Sequence, residues 1–431
     1  MLRRIYKMGI RGIKLAFFFS PKAKNAALRI FRNLFYRVLR LRVSMNSQWI
    51  VFESYRGRGY KCNPRAVYEF MLDSDDFHAF SFIWVAQNPE DFSFLLENPR
   101  TKIVKRNSFA YLRAFAESKY WIAGHQLQAY LCPLESQRYL NTWHGKPIKR
   151  IGLDVISSFA FASGRDERAR TRQYEAEKKK LTHLLAPAPV FEPIMASAFG
   201  LEGEASDSRL LKAGYPRNAR LFTCDSAEIN RLKAELSLPA DKKIVLYAPT
   251  WRGTRYKKGV GYIYHNPLDF SFLKQELGDE YLLLFRGHNL EAGSIDLEKH
   301  QDFVRDVTDV EDVNDLYLVS DLLISDYSGT IFDFANLQRP MVYYLFDWED
   351  YSQNQNGVYF DPHTFPGIVA SKQSELPDAI RDALATVKYD EQYAAFNQKY
   401  NTWEGIHSPE AVVRQFIDEA DLIKLEPVEA S

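Results

Sequence analysis

The chain has 431 residues, 46% of them apolar and 26% charged, with a formal net charge of +1. Those proportions exclude a disordered or wholly apolar chain, and the length allows two or three domains with substantial cores. Cys62, Cys132 and Cys224 lie far apart with no CxxC pair, so neither a disulfide framework nor a zinc site is expected, and a reducing, cytoplasmic setting fits.

Charge is spread unevenly. The first acidic residue is Glu53, and twelve Lys and Arg side chains precede Ser44. On a helical wheel Ile10, Ile13, Phe17 and Phe18 share a face, and after Pro21 so do Ala27, Ile30, Phe31, Phe35 and Leu39, with arginines between them. The pattern predicts two basic amphipathic helices over residues 1–45, suited to lying on an anionic membrane surface. Each cation near such a surface contributes on the order of 1 kcal/mol. The expected partner is a membrane, not nucleic acid; a hairpin that only packs on its own domain is the alternative. The run "IKLAFFFS" is interrupted by Lys14 and ends at Pro21, too short for a signal peptide or a span.

From Gln48 onward short apolar runs alternate with helical stretches: "WIVFES", a helix over Pro64 to Leu72, "FSFIWVA", a helix near Pro89, "KIVK", a helix over Ser108 to Glu117, "YWIAG" and "YLNTWHG". Ser157 to Lys180 reads as partly helical, and "HLLAPAPVFEPIMASAFG" as a further strand and helix. A second series begins at "KKIVLYAPTWRG" and continues through "EYLLLFRGHN", "FVRDVTD" and "VSDLLISDYSGTIFDFANLQRPMVYYLFD". Alternation of this kind predicts an α/β protein with two Rossmann-like doubly wound domains, residues 46–220 and 221–431, preceded by the helical arm.

Ligands in such sheets bind beyond the carboxyl ends of the strands, and the chemically capable residues sit there. "HGKPIKR" places His144 beside Lys146, Lys149 and Arg150. An imidazole can take a proton from an attacking hydroxyl near neutral pH, and nearby cations keep it unprotonated while attracting an anionic acceptor. In "LLISDYSGTIFDFA" a strand ends at Ser325 and a helix begins around Ser328 to Thr330. Its free N–H groups suit a phosphate, with Asp326, Ser328 and Gly329 in the turn; plain helix capping is the competing reading. Asp333, on the second turn, can hold ribose hydroxyls or be a helix-surface acid. "FRGHN" points Arg286 and His288 the same way, and "YAPTWRG" offers Arg252 for bidentate phosphate contact. His125, His144, His183 and His288 show no metal-binding spacing, so no cofactor is expected, although Mg²⁺ can substitute for one cation.

Taken together, "VFESYRGRGYKCNPRAVYEFM", "NTWHGKPIKRIG", "AGYPRN", "LYAPTWRG", "FRGHN", "VSDLLISDYSGTIFDFANLQRPMVYY" and "NGVYFDP...FPGIV" resemble the CDP-glycerol glycerophosphotransferase family, the teichoic acid polymerases and primases. The resemblance extends from about Val51 to Val369. It implies a GT-B-like pair of domains, with the cytidine nucleotide in the carboxy-terminal half, and attachment to the cytoplasmic face of the bacterial membrane, where a lipid-linked acceptor resides. It further implies that His144 is the catalytic base and that His288, Arg286 and Arg252 stabilise the pyrophosphate. Ser325, Asp326, Ser328, Gly329 and Asp333 would surround phosphate and ribose. The implied reaction moves glycerol phosphate or ribitol phosphate from a CDP-polyol to an acceptor hydroxyl, releasing CMP. This chain departs from the family pattern at Lys146 (commonly "HGTP"), at Gly329 (commonly "DYSS") and at Asn356. A GT-B glycosyltransferase using a nucleotide sugar is the alternative, and a catalytically silent membrane scaffold a third reading.

Overall fold

The computed structural model describes residues 1–18, 20–155, 167–201, 203, 208–250, 256–257, 261–262, 267–287, 298–354 and 357–422. Two parallel sheets carry the fold. The first contains β1 (Asn46–Glu53), β2 (Ser81–Ala86), β3 (Thr101–Lys105), β4 (Ser118–Ala123), β5 (Arg138–Asn141), β6 (His183–Ala186) and β7 (Leu210–Lys212), in the order β3-β2-β1-β4-β5-β6-β7. The second contains β8 (Lys243–Tyr247), β11 (Tyr281–Phe285), β12 (Val304–Asp306), β13 (Leu322–Ser325), β14 (Met341–Tyr344) and β15 (Ile368–Ala370), in the order β12-β11-β8-β13-β14-β15. A short antiparallel pair, β9 (Tyr256–Lys257) with β10 (Gly261–Tyr262), stands apart from both.

Both sheets are doubly wound, as the alternation of strands and helices predicts. Helices cover both faces, so the strands are apolar runs without polar alternation. In β1, Val51 packs to one side while Ile50 and Phe52 pack to the other, and all three are buried. In each sheet the strand order reverses beside its first strand, which opens a crevice beyond the carboxyl ends of β1 and β4 and another beyond β8 and β13.

The arm forms α1 (Leu2–Ala16) and α2 (Pro21–Arg40). They pack together, with the Phe31 ring filling the space beside Gly9, and they rest on a later helix, Phe109–Glu117, which Ser108 caps through the Tyr111 N–H. The Tyr6 hydroxyl donates to the Asn107 carbonyl at 2.7 Å. The wheel placed Phe35 and Leu39 on one face with Ile30. Instead, Phe35, Tyr36 and Leu39 are buried against the first domain, while Ile30, Leu34, Val38 and Leu41 stay exposed. Apolar residues occupy two sides of α2, and packing chose between them.

The end of the chain returns to the first sheet. Helix Ser408–Phe416 places Val412, Val413 and Phe416 in the same apolar cluster as Tyr120, Leu185 and Leu211. Arg138 donates to the Phe416 carbonyl at 3.1 Å. A single boundary near residue 220 therefore does not describe residues 401–422.

Candidate active site

The site is assembled where the strand ends of the two sheets meet. After β5 the chain turns at Trp143, whose φ of 51° is left-handed, and the Asn141 side-chain oxygen holds this turn by accepting from the Trp143 N–H at 2.9 Å. The turn directs His144 toward the loop that follows β4. Its Nδ1 lies 2.8 Å from the Gly124 carbonyl. A carbonyl can only accept, so Nδ1 carries the proton and Nε2 keeps its lone pair.

The His144 ring is open to solvent, yet protein surrounds it on most sides. That surrounding mass hydrates an imidazolium poorly and is the largest cause pushing its pKa down to about 4. Charge on Arg217, His125 and Lys149 acts the same way, opposed by the Gly124 carbonyl. Water at the open side tempers the effect, but every charged neighbour favours a ring that is neutral near pH 7.

Arg217, in the loop after β7, ties the halves together. One terminal nitrogen donates to the His144 carbonyl at 2.8 Å and to the Cys62 sulfur at 3.0 Å. The other reaches Asp333 Oδ2 at 2.5 Å. The Asn218 amide donates to Asp333 Oδ1 at 2.8 Å. Asp333, expected near a ribose, is thus buried in an ion pair with the opposite half. In the sequence Arg217 stands out only as part of "AGYPRN", where a Pro-Arg step shortly after a strand is the one local signal of this role.

Lys146 was expected to be an open cation. Its side chain is instead fully buried, 2.6 Å from Glu404 Oε1 and 2.5 Å from the Asn401 side-chain oxygen. A buried ammonium needs such partners, and both come from the segment that leads back to the first sheet. Arg150 lies with its guanidinium 5.2 Å from the Tyr359 ring centroid, and its N–H donates to the Gly357 carbonyl at 2.9 Å.

On the other side, the turn after β13 is internally bonded. Ser325 Oγ donates to the Ala248 carbonyl at 2.8 Å. Asp326 Oδ1 accepts from the N–H groups of Thr250 and Tyr327 at 2.8 and 2.6 Å. Ser328 and Thr330 share a hydroxyl–hydroxyl bond of 2.7 Å, and Gly329 precedes the short helix Thr330–Phe334. Arg286, at the end of β11, donates to the carbonyls of Val307 and Val310 at 3.3 and 2.9 Å. Among the described residues no carboxylate lies within ion-pair distance of it, and burial pushes its pKa down. A half-buried guanidinium without a counter-ion is suited to an anionic ligand. His288 and Arg252 lie outside the described residues.

Among the described residues, the site combines an imidazole whose Nε2 has no partner with a guanidinium that has no carboxylate at ion-pair distance, which suits proton abstraction beside a phosphate. Comparison with known proteins gives the family. The chain is 33% identical over 386 residues to the teichoic acid glycerol-phosphate transferase of Staphylococcus aureus (strain NCTC 8325 / PS 47), covering 88% of this chain and 96% of that protein. It is 31% identical over 399 residues to a teichoic acid poly(glycerol phosphate) polymerase of Bacillus spizizenii, covering 92% and 98%. Its match to the corresponding Bacillus subtilis (strain 168) polymerase, 32% identical, spans only 51% of that longer protein. A solved structure of the wall teichoic acid polymerase TagF superposes with a TM-score of 0.78 at 26% identity, covering 96% of this chain and 97% of that one. The family model for CDP-glycerol:poly(glycerophosphate) glycerophosphotransferases matches residues 34–417, and the chain belongs to that family.

Proposed function

We propose that this protein transfers glycerol phosphate from CDP-glycerol to a terminal hydroxyl of a polyol-phosphate acceptor held at the cytoplasmic face of the cell membrane, releasing CMP. The observation that carries the reading is the His144 geometry, with Nδ1–H fixed on the Gly124 carbonyl and Nε2 free. The acceptor oxygen attacks the β-phosphorus while Nε2 takes its proton. A phosphodiester bond forms, the bond from phosphorus to the bridging oxygen breaks, and CMP leaves. Arg286 stabilises the charge that gathers on the phosphoryl and leaving oxygens, and His288 and Arg252 are assigned to the same task. Arg150, Ser325, Asp326, Ser328 and Gly329 border the donor. Glycerol is favoured over ribitol because the glycerol-phosphate relative matches more of the chain, 88% at 33% identity, than a ribitol-phosphate polymerase of the same organism, 65% at 29%.

The arm supports membrane attachment of the enzyme. No described helix is long and apolar enough to cross a membrane, but Met8, Leu15, Phe18, Ile30, Leu34, Val38 and Leu41 are exposed among the cations.

The test is CMP release from CDP-glycerol, CDP-ribitol and a sugar nucleotide in the presence of a membrane fraction, for the intact chain and His144→Ala. Loss of a general base lowers the rate by about a hundredfold or more. Release from CDP-glycerol that collapses in the variant, with nucleotide binding retained, supports the reading. Turnover of the sugar nucleotide alone would replace it with glycosyl transfer.

A further inference from the structure

The loop after β1 is held in a conformation its side chains disfavour. Tyr55, Arg56 and Gly57 follow one another with φ of 44°, 59° and 76°. Left-handed backbone suits Gly57, but a bulky Tyr there is a genuine outlier, and each such residue costs on the order of 1–3 kcal/mol. The surroundings impose it. The Gly57 N–H donates to the Ser54 carbonyl at 2.8 Å, the Gln87 N–H to the Gly57 carbonyl at 2.6 Å and the Gln87 amide to the Arg56 carbonyl at 3.2 Å. Ser54 Oγ closes the loop on the Lys61 carbonyl at 2.8 Å. The opposite half also grips it: Glu311 Oε1 accepts from the Tyr60 N–H at 3.1 Å and lies 4.0 Å from Lys61 Nζ.

What this holds in place is the Tyr55 side chain. Its ring centroid is 6.1 Å from that of His144, Lys61 Nζ sits 5.2 Å over its face, and its hydroxyl end lies near Cys62, Arg217 and Arg286. The residue remains 40% exposed, so it borders the cleft instead of filling a core. It stands beside the base, with its far end toward Arg286.

Resting on the reading above, we infer that Tyr55 is a specificity-determining residue. Its ring flanks the His144 imidazole and, once an acceptor occupies the open side, leaves no room there for water, so that the acceptor hydroxyl, and not water, is the nucleophile activated. The competing step is complete without further reactants. Water oxygen bonds to the β-phosphorus, its proton passes to His144, the bond to the bridging oxygen breaks, and CMP leaves with free glycerol phosphate as the second product. A base that is neutral near pH 7 activates either nucleophile, so exclusion of water must come from what surrounds it.

The experiment measures CMP released and glycerol phosphate incorporated into a membrane-fraction acceptor, with CDP-glycerol as donor, for the intact chain, Tyr55→Phe and Tyr55→Gly. Glycine removes the ring and is at ease at φ of 44°, so the variant keeps its melting temperature or gains on it. The expected result is a severalfold fall in incorporation for Tyr55→Gly, with free glycerol phosphate appearing in its place, while Tyr55→Phe partitions like the parent. Equal partition in all three overturns the inference. So does a folded Tyr55→Gly that releases no CMP, because Tyr55 would then be needed for turnover itself. A parent chain that releases no CMP from CDP-glycerol overturns the functional reading, a separate failure.

Discussion

A β-carbon built on Gly329 would lie 2.3 Å from the carbonyl oxygen of Lys146 and 3.2 Å from its nitrogen. Two of the three positions named above as departures from the family pattern, Lys146 and Gly329, therefore touch each other across the site. The same Lys146 is held at its far end by Glu404 and Asn401. The segment that carries His144 is thus clamped by the second half of the chain at both its backbone and its side chain.

Gly329→Ala tests the backbone contact. No flexible side-chain end is available to give way, so the halves must separate slightly, at a cost of about 1–3 kcal/mol. The expected outcome is a lowered melting temperature by calorimetry together with reduced turnover. An alanine variant as stable and active as the parent would show that the Lys146 backbone yields freely.

Arg217→Lys tests the three-way link. A planar guanidinium serves His144, Cys62 and Asp333 at once, whereas an ammonium is a single point charge. Lysine retains the charge opposite buried Asp333, so the fold survives, but the His144 carbonyl loses its donor. Turnover should fall by about tenfold or more, the cost of slight misplacement of a catalytic group, with a smaller change in nucleotide affinity. Equal losses in binding and turnover would place Arg217 on the donor instead.

The pH profile tests the state of His144. With its pKa pushed down to about 4 and an unfolded value near 6.5, the unfolded chain takes up the proton first. Stability is full above pH 6.5 and is lost as pH falls toward 4. His183, half-buried, is also pushed down to about 4, by its loss of hydration and then by the charge of Arg138, and contributes in the same window. His144→Ala should therefore shallow the acid loss of stability without abolishing it. The acid limb of kcat/KM should likewise fall well below 6.5; a limb at 6.5 would mean an ordinary, fully hydrated imidazole.

The arm is tested at its outward face. Leu34 and Val38 are 59% and 51% exposed on α2, and burying such side chains is worth roughly 1.5–3 kcal/mol each when complete. Leu34→Asp with Val38→Asp should reduce sedimentation with anionic phosphatidylglycerol vesicles by about tenfold or more and leave the melting temperature unchanged. A drop in stability instead would mean that this face packs on protein.

The two doubly wound sheets, the helical arm and the placement of His144 and Arg286 at strand ends were legible in the residues alone. These features follow from short-range rules: apolar runs of strand length, Ser108 capping its helix, and a side chain's position relative to the strand it follows. The tertiary structure alone decided which apolar side of α2 faces out, because Phe35 and Leu39 compete with Leu34 and Val38 on nearly equal terms until a partner surface exists. It alone turned Lys146 and Asp333 from open ligands into buried ions, since Glu404 and Arg217 lie far away in the chain. Burial makes a charge seek the nearest opposite charge in space, and no spacing along the sequence records which one that will be.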